Sequence, residues 1–280
     1  GIRDRCLSRG SEMCIRDRKI FMSKLNKELE DLIATFRSLR NPDTGCAWDR
    51  EQTFKSIASC AIEEAYEVAD AIDREDFKAL KSELGDLLFQ VIFHAEMANE
   101  KGIFDLKEVI SELNDKLVRR HPHVFANEQA ISSKESLSIW EDIKAEERKA
   151  QKLDSLMDDV PKNLPSLIRA KKLQKRAARI GFDWKDANKV INKIEEELDE
   201  LKIEHSKNNK DKLAEEVGDI LFTIVNLTRH YDLDPEDIMR RSNLKFEQRF
   251  KAMEKYAEHN DLELDGMSVA QLEEVWQKIK

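Results

Sequence analysis

The sequence predicts an all-α protein built from two similar domains. Only eight of the 280 residues are glycine and five are proline, while 38% are charged. This composition favours long helices with short connections, and no stretch reads as a convincing strand. Two segments with the same spacing of acidic residues, 133 positions apart, indicate a duplication within the chain.

The acidic residues of the repeat are spaced to meet across a helical hairpin. Glu197 and Glu200 are three residues apart, as are Glu216 and Asp219, so each pair shares one helix face. A chain reversal at Asn208 brings both pairs to the same height on antiparallel helices. An all-oxygen site of this kind suits Mg²⁺ or Mn²⁺. Two solvated acidic faces are the alternative interpretation at this point.

The first half carries the same pattern. Its turn is expected at Glu75, and its four acids are Glu64, Glu67, Glu83 and Asp86, each 133 positions before its counterpart. The tryptophans support the duplication independently, because all four pair at an offset of 136: Trp48 with Trp184, and Trp140 with Trp276. Two tandem copies of one domain therefore account for both patterns.

Composition excludes several classes of function. A net charge of −9 gives no basic excess, which argues against stable nucleic-acid binding. No apolar stretch approaches the ~18 residues of a membrane span. The four cysteines show no metal-ligand spacing, which favours free thiols in a reducing compartment such as the cytoplasm.

The first domain is predicted over residues 22–150. Residues 1–21 are interpreted as a non-native leader, because they lack both a hydrophobic period and the apolar region of a signal peptide. The expected order is a helix at 23–40, a loop to 53, hairpin helices at 54–72 and 76–100, a helix at 105–120 and a helix through Trp140. Gly85 lies inside the hairpin, either for close helix approach or to leave room for a ligand phosphate.

A linker at 151–163 precedes the second domain, residues 164–280. Helices are predicted at 164–179, 187–206 and 210–230. Another opens at Asp234-Pro235, where proline suits the first helical position, and Ser268 caps the last.

The pattern Glu-Glu-x-x-Glu followed by Glu-x-x-Asp resembles the signature of the all-α nucleoside triphosphate pyrophosphohydrolases, the MazG family. The segments Gly181–Trp184 and Lys245–Glu247 agree with it, and the resemblance covers about residues 24–280. It implies hydrolysis of nucleoside triphosphates to monophosphate and pyrophosphate with Mg²⁺, as housekeeping of the nucleotide pool. It also implies a homodimer in which two tandem MazG-type domains complete each other's helix bundles.

The resemblance assigns roles to individual residues. The metal ligands would be Glu197, Glu200, Glu216 and Asp219, with Glu64, Glu67, Glu83 and Asp86 in the first half. The substrate contacts would be Lys193, Lys212, Lys245 and Arg249 for phosphate and Trp276 for the nucleoside. Glu196 or Glu215 could serve as the general base. Solvated lysines and a packed Trp276 are the alternative interpretations.

The two halves differ around the acids. Lys193, Lys212 and Glu215 correspond to Cys60, Ala79 and Ser82, so we expect activity mainly in the second domain. The first domain would then be structural, regulatory or weakly active.

Two other functions compete with hydrolysis. A di-iron bundle needs Glu-x-x-His, whereas Asp219 and Asp86 stand at the fourth position. A non-enzymatic helical scaffold or metal-binding interaction module is the second alternative. A scaffold with merely solvated acids would show no stabilisation by metal.

Overall fold

A computed structural model describes residues 15–126, 132–150 and 153–279, and every regular element in these ranges is a helix. The predicted all-α class is therefore confirmed. No helix in the described ranges is long and apolar enough to cross a membrane. Residues 1–14 of the predicted leader lie outside the described part, and the first helix begins at Ile15.

The chain divides into two compact units, the first ending at Ala145 and the second beginning at Glu146. The helices up to the boundary are α1 Ile15–Leu39, α2 Ala47–Glu51, α3 Ala58–Asp73, α4 Phe77–Glu100, α5 Leu106–Arg120, α6 Pro122–Phe125 and α7 Ser133–Ala150. The boundary lies within α7. The remaining helices are α8 Ser166–Arg179, α9 Ala187–Ser206, α10 Lys210–His230, α11 Pro235–His259 and α12 Val269–Lys278.

Each unit is organised around one helical hairpin, α3–α4 in the first and α9–α10 in the second. Glu75 and Asn208, the predicted turn positions, adopt left-handed backbone angles with φ of 53° and 54°. The following residues cap the second helix of each hairpin, because Asp76 accepts from the backbone of Lys78 and Asn209 from that of Lys212. The turns therefore fix the register in which the two helices face each other.

The core of the first unit is aromatic. The ring centre of Phe93 lies 6.1 Å from that of Phe36 and 5.3 Å from that of Phe89. His94 stacks on Phe54 with ring centres 5.9 Å apart, and burial lowers the pKa of its imidazole. His94 thus packs against an aromatic ring.

The second unit packs α8 against α10 and α11. Val190 and Val225 are fully buried at the hairpin. Gln174 of α8 is also buried, and its amide nitrogen donates to the backbone carbonyl of Phe222 at 2.7 Å. This polar contact fixes α8 against the middle of α10.

The segment before α8 is held against the second unit. The guanidinium of Arg176 donates to the backbone carbonyl of Leu156 at 3.1 Å and also to that of Asp158. Val160, in the same segment, is buried. The predicted linker is therefore anchored to this unit at Leu156, Asp158 and Val160, although most of residues 153–163 are exposed.

Two short helices occur where loops were expected. α2 lies inside the predicted loop at 41–53, and α6 follows the end of α5. The long helices of the second unit agree with the prediction, since α9 and α10 have the expected bounds. Ser268 caps α12 as predicted, in a reciprocal arrangement with Gln271.

Candidate functional site

Three carboxylates of the second hairpin converge. One oxygen from each of Glu197, Glu200 and Glu216 lies within 4.8 Å of the other two. Glu197 is only 5% exposed, whereas Glu200 is at the surface, so the cluster opens to solvent on one side. We call these three residues the second triad; a single divalent cation could contact all of them.

The crowding of negative charge affects the protonation of the second triad. Desolvation raises the pKa of Glu216, and the charges of Glu200, Glu197 and Asp219 raise it further. Asp219, the fourth predicted ligand, thus lies close enough to act on the cluster. A cation at this position would relieve the repulsion.

The first hairpin contains a similar cluster, with Asp86 as a member in place of the counterpart of Glu200. Oxygens of Glu64, Glu83 and Asp86 lie within 4.8 Å of one another, and we call this set the first triad. Glu67 joins it through a hydrogen bond with the carboxyl group of Glu83. Desolvation, followed by the neighbouring acids, raises the pKa of both Glu64 and Glu83.

Two predicted phosphate-binding lysines lie beside the second triad. The ammonium of Lys193 is 2.8 Å from Glu196 and 2.9 Å from Glu197. That of Lys212 is 2.7 Å from Glu215. Hydrogen bonds to these carboxylates raise the pKa of both lysines. Each candidate general base therefore holds a lysine on its own helix.

Space remains open beside both triads. A Cβ atom added at Gly85 or Gly218 would meet no other atom within 4 Å. Close approach of a neighbouring helix in the same unit therefore does not explain these glycines. The space beside each glycine is open within its unit.

A second group of predicted residues lies on α11 and α12. Lys245 is exposed, and neither it nor Arg249 forms an ion pair within the described residues. Trp276 is partly buried, and its ring centre is 5.6 Å from that of Phe246, which is 6.0 Å from Phe250. These two phenylalanines were absent from the predicted site. In the sequence each follows a predicted phosphate contact, and Phe246 also lies within the segment Lys245–Glu247 that agrees with the family.

The equivalent tryptophan of the first half has different neighbours. The ammonium of Lys144 lies 4.1 Å from the ring centre of Trp140, and the guanidinium of Arg120 lies 5.8 Å from it. Trp140 thus contacts two cations where Trp276 contacts an aromatic ring. The two halves differ here as well as beside the triads.

Comparison with known proteins gives consistent results for both halves. The profile of the MazG nucleotide pyrophosphohydrolase domain matches residues 52–125, and that of phosphoribosyl-ATP pyrophosphohydrolase matches residues 162–245. The chain is 48% identical over 255 residues to the nucleoside triphosphate pyrophosphohydrolase of Escherichia coli K12, covering 90% of this chain and 97% of that protein. It is 45% identical over 251 residues to the nucleoside triphosphate pyrophosphohydrolase/pyrophosphatase MazG of Thermotoga maritima, covering 90% and 95%.

Proposed function

Because the chain belongs to the MazG family of nucleoside triphosphate pyrophosphohydrolases, and so hydrolyses nucleoside triphosphates, we propose that it does so with Mg²⁺ and mainly in its second half. The observation that supports this most directly is the second triad with Lys193 in contact with it. Water would attack the α-phosphorus and pyrophosphate would leave, giving the nucleoside monophosphate. We expect this housekeeping of the nucleotide pool in the cytoplasm.

The donor set of the second triad fits Mg²⁺, with Mn²⁺ as an alternative. All three donors are carboxylate oxygens on two rigid helices, and one side of the cluster is open to substrate oxygens. Such hard donors favour Mg²⁺ and Mn²⁺ over metals that prefer nitrogen or sulfur. When bound, the ion would offset triphosphate charge and activate water as a Lewis acid.

The chain's own residues would position the nucleotide and accept the proton. Lys193 and Lys212 carry positive charge along the two helices that border the site. They would attract and orient the phosphates. Their hydrogen bonds hold the carboxylates of Glu196 and Glu215 at the rim, where either carboxylate could take the proton from the attacking water.

The group on α11 and α12 would hold the rest of the substrate. Lys245 and Arg249 lie four residues apart on one helix and would contact phosphate. The exposed ring of Phe246 next to Trp276 offers an aromatic surface on which a nucleobase could stack. Stacking tolerates every base, which suits an enzyme that acts on several nucleotides.

The first half has the acids without the same supporting residues. The first triad is complete, yet Cys60 and Ala79 replace the two lysines. We therefore propose that it binds metal but holds triphosphate poorly. The cations against Trp140 further disfavour stacking of a nucleobase on that ring.

We also propose a homodimer. Both hairpins expose large apolar side chains that a second copy could cover: Ile62, Tyr66, Leu84 and Leu88 in the first, and Leu198, Val217, Leu221 and Ile224 in the second. Monomeric proteins rarely expose so many apolar residues on one element. The open space beside Gly218 agrees with the approach of a partner helix.

The proposed reaction is tested by hydrolysis in ¹⁸O-labelled water. GTP, dUTP and ATP are incubated with the full chain and Mg²⁺. The products are separated, and the ¹⁸O content of each is measured by mass spectrometry. Attack at the α-phosphorus places the label in the monophosphate, and EDTA abolishes turnover. Label in pyrophosphate would show attack at the β-phosphorus instead. Release of nucleoside diphosphate and inorganic phosphate would refute the proposed reaction.

A further inference from the structure

One lysine contacts a member of the second triad directly. The ammonium of Lys193 is 2.9 Å from Glu197, the most buried carboxylate of the three. Lys212 instead pairs with Glu215, which lies outside the triad. A side-chain cation thus contacts a carboxylate that belongs to the candidate metal site.

We propose that Lys193 is an exchangeable cation, which neutralises Glu197 in the metal-free enzyme and transfers to the triphosphate when metal and nucleotide bind. This inference rests on the proposed function. The ammonium and a divalent ion compete for the negative charge of one carboxylate, so each weakens binding of the other. A triphosphate relieves the competition, because it offers the ammonium a new anionic partner.

The geometry suits an exchange of partners. The side chain of Lys193 is 30% exposed, and its ammonium is held by two single contacts, to Glu196 and Glu197. A lysine places a compact charge on a flexible stem, so it can turn to a new anion without movement of the helix. Glu196 can keep its contact with the ammonium while Glu197 turns to the metal.

The first half has no lysine at the position equivalent to Lys193. Cys60 stands in the place of Lys193, four residues before Glu64. A neutral thiol cannot compete with a metal ion for the carboxylate of Glu64. Metal binding should consequently depend on nucleotide in the second half and be independent of it in the first.

The test measures Mn²⁺ binding without nucleotide, by the loss of the electron paramagnetic resonance signal of free Mn²⁺. Every protein carries Glu64→Gln and Glu83→Gln, so that binding reports on the second triad. Lys193→Met is expected to bind Mn²⁺ about tenfold more tightly than the parent. Lys212→Met removes an equal charge that does not contact the triad and should tighten binding less. Lys193→Arg, which keeps the charge, should bind Mn²⁺ as weakly as the parent.

The opposite result has a clear meaning. If Lys193 instead orients Glu197 as a ligand, Lys193→Met binds Mn²⁺ more weakly, and the exchange is refuted. Equal affinities for Lys193→Met and Lys212→Met also refute it. If the parent hydrolyses triphosphates in these cases, the proposed function stands. If no protein binds Mn²⁺ without nucleotide, including Lys193→Met, the exchange is refuted, and the proposed function is decided by the hydrolysis experiment with Mg²⁺ and EDTA.

Discussion

Glu216 and Glu83 occupy equivalent positions in the two hairpins, yet their neighbours differ. Glu216 belongs to a triad that contacts Lys193 and is followed by open space at Gly218. Glu83 belongs to a triad with no lysine at the equivalent position. A difference in function between the halves should therefore be measurable at this single residue.

Glu216→Gln should lower kcat for triphosphate hydrolysis by roughly 100-fold or more, because loss of a metal ligand removes transition-state stabilisation. Glu83→Gln should change kcat by no more than about twofold. Steady-state assays of pyrophosphate release on both variants provide the comparison. A larger loss in Glu83→Gln would place the activity in the first half.

Protonation of the triads should appear in the pH dependence of stability. The pKa values of Glu64, Glu83 and Glu216 are raised above the ordinary 4.5. A carboxyl with a raised pKa in the folded state stabilises the fold below its ordinary pKa. This stabilisation is lost as the pH rises through the raised value.

The metal-free wild type should therefore lose more stability as the pH rises above about 4.5 than a Glu83→Gln, Glu216→Gln variant. Thermal unfolding in EDTA across this pH range measures the difference. Added Mg²⁺ should restore stability to the wild type near neutral pH. Parallel pH profiles for the two proteins would show that the triads do not contribute.

At the scale of helices, the two hairpin turns have the same backbone conformation but place different residues in it. Both Glu75 and Asn208 adopt a left-handed conformation. This conformation is unfavourable for most side chains but is tolerated by asparagine. The turn of the first hairpin is thus more strained than that of the second.

Glu75→Gly should stabilise the protein by about 0.5–1 kcal/mol, because glycine adopts the left-handed region without a steric penalty. Asn208→Gly should change the stability by only a few tenths of a kcal/mol. Calorimetric unfolding of both variants tests the contrast, since both positions are exposed turn residues. A greater gain from Asn208→Gly would contradict the assignment of strain to Glu75.

The long helices could be predicted because their acids and turn residues follow a regular spacing. The turn at Asn208 and the bounds of α9 follow from that spacing. The short helices α2 and α6 could not, since four or five residues carry too few positions to show a period. The contact between the rings of Phe246 and Trp276 depends on how α11 docks against α12, which no local pattern encodes.

At the scale of the whole molecule, the exposed apolar faces of the hairpins are the main observation that favours association with a second copy. Leu221 is 46% exposed on α10, two residues before the buried Thr223. Because such side chains are already about half-buried, covering the rest between copies would contribute about 1 kcal/mol each. The dimer proposed above would supply that burial.

Leu221→Glu should convert the dimer into a monomer, because a dimer would have to bury the new charges without partners. Val269→Glu is the matched control, since this residue of α12 is 84% exposed and should leave the assembly unchanged. Light scattering during size-exclusion chromatography reports the mass of each variant. A Leu221→Glu protein of unchanged dimeric mass would place the interface elsewhere.

The contact of Arg176 with the segment before α8 determines where the second unit can be cut. A recombinant fragment that begins at Leu164 would remove the carbonyl acceptors of Arg176 and expose the surface that buries Val160. We expect such a fragment to be destabilised. Its failure to fold would therefore not show that the second half cannot fold alone. A fragment that begins near Leu153 keeps these contacts, and is the one on which independent folding of the second unit should be judged.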